Sequence, residues 1–129
     1  MSKIFAVVDH TMGIPFLPGE CFASEKEAQS FCASETEWFR KNYPQREVEA
    51  PYQVEAHDVD FDIDSLGRHV YYVAVCSGEE SVILKFFPKS READKFISKC
   101  MRCKEELPLS EENRENAIVI PMEARFFNL

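Results

Sequence analysis

A hairpin signal, a serine-initiated amphipathic helix and a β-rich run follow one another twice in this chain, about half its length apart. In the first half, Lys3 to Asp9 is rich in β-branched and aromatic residues and predicts a strand, which Gly13 and Pro15 then interrupt. A second, Pro-interrupted strand ends near Phe22. Ser24 and Glu27 have the capping-box spacing, so a helix should run from about Glu25 to Asn42 and stop before Pro44. Tyr52, Val54 and Ala56 then alternate with polar residues, and Val59, Phe61 and Ile63 alternate in the opposite phase, which predicts a bulge or break near His57. In the second half, Arg68 to Cys76 and Ser81 to Phe87 read as strands joined by a tight turn at Ser77–Glu80. Ser90 should cap a helix from about Arg91 to Glu105, and Ala117 to Phe127 should form the last strand.

A shift of 65 residues pairs Val8 with Val73, Gly13 with Gly78, Phe22 with Phe87 and Glu27 with Glu92. It also pairs Ala28 with Ala93, Phe31 with Phe96 and Phe61 with Phe126. A diverged tandem duplication of a β-β-α-β unit, residues 1–64 and 65–129, accounts for this, and independent arrival at the same hairpin-then-helix order is the alternative. Either way the expected class is α+β in one domain, 1–129, with two helices packed on one face of a largely antiparallel sheet.

At 129 residues and 45% hydrophobic, with eleven Phe, the chain has enough apolar material for a core without disulfides or metal. No apolar run, Ile4 to Val8 included, comes near the roughly 20 residues that cross a bilayer. No basic segment precedes a signal-like stretch, so the expectation is a chain that starts at Met1 and works in the cytoplasm, without a membrane role. Five cysteines, an odd number at irregular spacing, point to reduced thiols.

The net charge of −8 lies wholly in the first half: residues 1–64 hold 5 basic and 13 acidic side chains, residues 65–129 ten of each. From Glu47 to Asp64 seven acids occur without one Lys or Arg. Phosphate binding needs clustered cations, so direct nucleic-acid binding is not expected, whereas a basic protein surface is a fitting partner.

Within that stretch, Asp58, Asp60, Asp62 and Asp64 are the candidate partner-binding residues. In an extended strand they would form one outward row about 6.8 Å apart, with Val59, Phe61 and Ile63 inward. Such a row could imitate nucleic-acid phosphates, which advance about 3.4 Å per nucleotide. Equally, it could be a solvated edge that discourages sheet-to-sheet pairing. It fails the calcium-loop pattern, since Ile63 stands where Gly is needed and His69 where the bidentate Glu is needed.

Glu35 falls near the middle of the apolar stripe of the first helix, among Phe31, Trp38 and Phe39. A carboxyl group desolvated there is a candidate general acid in an enzyme or small-molecule pocket, with a histidine as partner. The competing reading is that the helix emerges from the core at Glu35, or that Glu35 pairs with Arg68 or Arg125.

Cys100 and Cys103 lie in the last turns of the second helix, the wrong end for a dipole-activated thiol. They share an apolar stripe with Ala93, Phe96 and Ile97, so they read as buried, reduced packing residues rather than a redox or zinc pair. Lys89, Arg91, Lys95, Lys99, Arg102 and Lys104 give that helix a basic, solvated face. His10, His57 and His69 stand singly, and no glycine-rich phosphate loop or nucleophile motif is present. The expected function is therefore a small non-enzymatic binding protein, such as an inhibitor, antitoxin-like partner or adaptor, with no cofactor or metal.

Overall fold

A computed structural model describes residues 2–13 and 15–127; Ile14, inside the expected first turn, lies outside the described residues. The architecture is α+β, with six strands in one mixed, nearly closed sheet. The strands are β1 (Ser2–Asp9), β2 (Glu20–Phe22), β3 (Tyr52–Val59), β4 (His69–Ser77), β5 (Glu80–Phe87) and β6 (Ile118–Phe126). The helices are α1 (Glu25–Asn42), α2 (Ser90–Arg102) and the single-turn α3 (Glu111–Arg114).

The strand order is β3-β1-β2-β6-β4-β5. Four neighbouring pairs are antiparallel, while β2 and β6 run parallel, with Glu20 opposite Arg125 and Cys21 opposite Phe126. In β3-β1-β2 and again in β6-β4-β5, the first strand of the half sits between its third and its second. The sheet curls until its two edge strands approach, and His57 of β3 meets Phe86 of β5 edge-on with ring centroids 5.2 Å apart.

Period-2 alternation divides the buried residues between two sides of this curled sheet. Ile4 and Ala6 of β1, Tyr72 and Ala74 of β4, and Ala124 and Phe126 of β6 meet in one cluster. Tyr72 is fully buried there, and its hydroxyl donates to the Pro18 carbonyl at 2.6 Å, tying the β1–β2 loop to β4. Phe5 and Val7, on the other side of β1, pack with Phe22 and with Ala28 of α1. Val73 and Val75 of β4 pack with Phe87 and with Ala93 and Cys100 of α2.

Local chemistry accounts for most boundaries. The Ser24 hydroxyl accepts from the Glu27 N–H at 3.3 Å, capping α1 as its spacing predicts. Ser90 does not cap α2. Lys89 is the cap residue, without a side-chain bond, and Ser90 is the first helical residue. That helix also ends at Arg102, short of Glu105, and Lys104–Glu106 tightens into a 3-10 turn. Gly78, with φ 60, lets β4 turn directly into β5.

The 65-residue register holds in some elements and fails in one. Phe22 and Phe87 occupy corresponding places beneath α1 and α2, as do Ala28 with Ala93 and Phe31 with Phe96. Val8 and Val73 do not: alternation puts Val8 on the Ile4 and Ala6 side of β1, whereas Val73 faces α2. The β1–β2 loop and the tight β4–β5 turn differ in length, so one fixed offset cannot serve both first strands.

Candidate functional site

The acidic stretch does not form the straight row expected of it. β3 ends at Val59, Asp60 and Phe61 lie in a bend, and Ile63–Ser65 is a 3-10 turn. The Asp62 carboxylate accepts from the Asp64 N–H at 3.1 Å, and the Ser65 hydroxyl donates to the Asp62 carbonyl at 2.8 Å. Asp and Ser side chains compete here for the backbone groups that a strand ladder would use, so the chain turns. Val59 and Ile63 are nevertheless buried in the Tyr72 cluster with Phe61 against it, and Asp58, Asp60, Asp62 and Asp64 are all exposed. Asp58 therefore stands on β3, and Asp60, Asp62 and Asp64 on the bend and turn that follow it rather than on one extended strand. Among the described residues, Asp58 alone of them meets a cation, with Lys3 Nζ at 3.7 Å.

Glu35 is half-buried and sits in a groove. By alternation Val7 and Asp9 on β1 share a face, as do Glu20 and Phe22 on β2. α1 packs mainly on β3 and β1, and the strip beside β2 stays open. The resulting groove, about 390 Å³, has Val7, Phe22 and Phe31 as apolar lining, Pro18 and Gly19 along one side, and Asp9, Glu20, Glu35 and Tyr52 as its polar groups. Burial raises the Tyr52 hydroxyl, and the Asp9 and Glu35 carboxylates push it further the same way, so both negative charges bear on one phenol. Asp9 is held in place by the Thr11 N–H, which donates to its Oδ1 at 2.8 Å. A second hollow of about 470 Å³ adjoins it across Phe22 and Phe31, whose rings pack with each other and with Phe127 at centroid separations of 5.3–5.6 Å.

No histidine is among the nine residues lining the Glu35 groove. His57 Nε2 lies 3.1 Å from Glu55 Oε1, and His69 Nδ1 lies 2.7 Å from Glu123 Oε1, each away from the groove. Arg68 and Arg125 line a neighbouring hollow with Glu20, not with Glu35. Sequence reasoning therefore singled out Glu35, near the middle of the apolar stripe of α1, but missed Asp9, Glu20, Phe22 and Tyr52. Strand alternation could have put Asp9 with Val7 and Glu20 with Phe22, but only the pairing of Asp9 with Tyr52 across β1 and β3 brings the set together.

Cys100 is buried among Val73, Phe87 and Leu107, and burial pushes its thiol up. Cys103, expected to be buried as well, is only half-buried, because it is the cap residue that leaves the helix. Cys21 is the most enclosed thiol, and burial followed by the Glu20 charge pushes it up to about 12. Among the described residues no cluster of three or more His, Cys, Asp or Glu side chains is arranged to hold a metal ion, and no helix is long and apolar enough to cross a membrane. No protein-family profile, curated protein or solved structure gives a significant match to this chain.

Proposed function

We propose that the protein is a small non-enzymatic binding module, an inhibitor, antitoxin-like partner or adaptor, that offers acidic side chains to a basic protein surface. One observation carries this reading. Of the seven acids from Glu47 to Asp64, only Asp58 meets a Lys or Arg among the described residues, and all but the half-buried Glu55 are exposed. Charges left uncompensated within the chain raise the association rate of an oppositely charged partner and are screened beyond about 8 Å at 0.15 M salt.

The architecture fits a module built twice, residues 1–64 and 65–129, with α1 and α2 on one face of the sheet. Support comes from the repeated third-first-second strand order and from the shared places of Phe22 and Phe87. A cytoplasmic setting fits five unpaired thiols. An enzyme or small-molecule site at Glu35 is a second reading, favoured by the groove itself, where Asp9, Glu20 and Tyr52 rather than a histidine accompany Glu35.

The test replaces Asp58, Asp60 and Asp62 together by Asn and compares association with the partner recovered from a source lysate at low and moderate salt. Asn at position 62 can still accept the turn bond, so the fold should persist. The expected result is a slower association rate whose deficit shrinks as salt rises. Unchanged binding, with aggregation of the variant, assigns the acids to edge protection and overturns the proposal.

A further inference from the structure

Charge and apolar surface converge at one place in the first half, the groove between α1 and β2. Three carboxylates, those of Asp9, Glu20 and Glu35, are among its nine lining residues, none of which is cationic, although Glu20 also lines the neighbouring hollow with Arg68 and Arg125. Val7 and the Phe22 and Phe31 rings are its apolar lining, and the Asp9 and Glu35 charges both act on the Tyr52 hydroxyl. Its volume of about 390 Å³ falls within the roughly 300–1,000 Å³ typical of ligand clefts. Carboxylates alone would suit any cation, and apolar lining alone any hydrocarbon. The two together select a group that carries positive charge at the end of an apolar stem.

We infer that this groove receives an arginine side chain of the basic protein partner, its methylene stem against Val7 and Phe22 and its guanidinium among Asp9, Glu20 and Glu35. This inference rests on the proposed basic partner and specifies where one of its side chains inserts. Arginine fits better than lysine on two counts. A guanidinium is planar and stacks on aromatic faces such as Phe31 and Tyr52, and its five N–H donors serve several carboxylates at once, whereas an ammonium is a compact, strongly hydrated point charge. One Asp9 oxygen already takes the Thr11 N–H, which fixes that carboxylate's orientation before any partner arrives.

The corresponding place in the second half is built differently. There Phe96 and Cys100 stand where Phe31 and Glu35 stand under the 65-residue shift, Leu107 and Pro108 close over them, and the remaining hollow is about 220 Å³. Its one carboxylate, Glu106, is accompanied by Lys99. Positive charge is therefore favoured at one of the two places only.

The experiment titrates the isotopically labelled full chain with a short peptide carrying one central arginine and no other charge, and with the same peptide carrying neutral citrulline. Amide shifts are expected to cluster at Val7–Asp9, Glu20–Phe22, Phe31–Glu35 and Tyr52 with arginine and to vanish with citrulline. Glu20→Gln with Glu35→Gln should weaken binding about tenfold, as loss of charge-assisted hydrogen bonds requires. Citrulline binding as tightly as arginine overturns the assignment without involving the variants. Shifts confined to residues 58–64 overturn the groove but leave the basic-partner proposal standing. No saturable shift in the millimolar range overturns the groove too, while the partner proposal is judged separately by the triple Asn variant.

Discussion

α1 and α2 each pack most on the third strand of their own half, next on its first and least on its second, yet the surfaces beside them differ. After α1, residues 43–51 return to β3 almost wholly exposed, with only Pro51 buried and Val48 half-buried. After α2, the longer return 103–117 folds inward, and Leu107, Leu109 and Ala117 join Val73 and Phe87 in the core beneath it. A groove of about 390 Å³ with three carboxylates survives in the first half, and a hollow of about 220 Å³ lined by two thiols remains in the second. Sheet and helix thus set the framework of each half, while the segment that follows the helix decides whether its flank is open surface or core.

Exchanging the two residues at the centre of this contrast gives the largest expected effect. Cys100→Glu puts a carboxylate among Phe87, Ala93 and Leu107 and should cost about 3 kcal/mol or more in urea unfolding at neutral pH. A carboxyl buried there has its folded pKa raised, so the folded state binds the proton more readily and the deficit should shrink as pH falls. Glu35→Cys, at a half-buried position beside an open groove, should change stability by about 0.5 kcal/mol or less. Equal costs would erase the distinction between the two flanks.

The roof itself is the next point of attack. Leu107 is 4% exposed, and Leu107→Ala removes core contacts at a cost of about 2–4 kcal/mol. Val48→Ala, in the corresponding return of the first half, should cost about 1 kcal/mol or less. Denaturant midpoints for the pair measure how much each return contributes.

These contrasts also mark what the sequence could convey. Capping by Ser24, the span Glu25–Asn42 and the alternation of Ile118–Phe126 are local chemistry, and they are legible without a structure. Leu107 and Leu109 are not, because they stand in a Pro- and Glu-rich stretch with no period of its own, and only tertiary packing buries them. The acidic run misled for a related reason: Val59, Phe61 and Ile63 do turn inward, as alternation predicts, but Asp62 and Ser65 satisfy backbone groups locally and end the strand. Glu35 was recognisable from helical periodicity, whereas its neighbours Asp9 and Tyr52 depended on the register between β1 and β3, which nothing local specifies.

A smaller, acid-sensitive difference follows from the way the second return is fastened. Glu80 accepts from the Ser110 N–H at 3.2 Å, from the Ser110 hydroxyl at 2.9 Å and from the Asn113 amide, and these bonds hold its carboxyl below the ordinary value of 4.5. A lowered folded pKa means that this fastening contributes fully above the unfolded value and is lost as pH falls through the folded one. Amide exchange at Ser110–Arg114 should therefore rise as pH falls below about 4.5, after correction for the intrinsic rate. The first return is tied by Arg40 to the Glu49 carbonyl at 3.1 Å, a bond without a titrating acceptor, so its corrected exchange should not follow the same curve.

The smallest effect concerns the Lys3–Asp58 pair in the acidic half. Lys3 and Asp58 face each other across β1 and β3 with Nζ and Oδ1 3.7 Å apart, and their side chains are 58% and 67% exposed. Water screens both charges and ordering two mobile side chains offsets part of the attraction, so Asp58→Asn should lower stability by about 0.5 kcal/mol or less. Adding Asp60→Asn and Asp62→Asn removes two further negative charges from a turn where like charges crowd together, and the relief should cancel much of that loss. A denaturant midpoint within error of the parent chain is therefore expected for the triple variant. A loss above about 1 kcal/mol would exceed what exposed charges supply and would make these carboxylates structural parts of the β3–β4 turn. The first half would then hold at its β3–β4 turn what the second holds at its Glu80-fastened return, a segment shaped by its own internal bonds, and its excess charge would no longer need a partner to account for it.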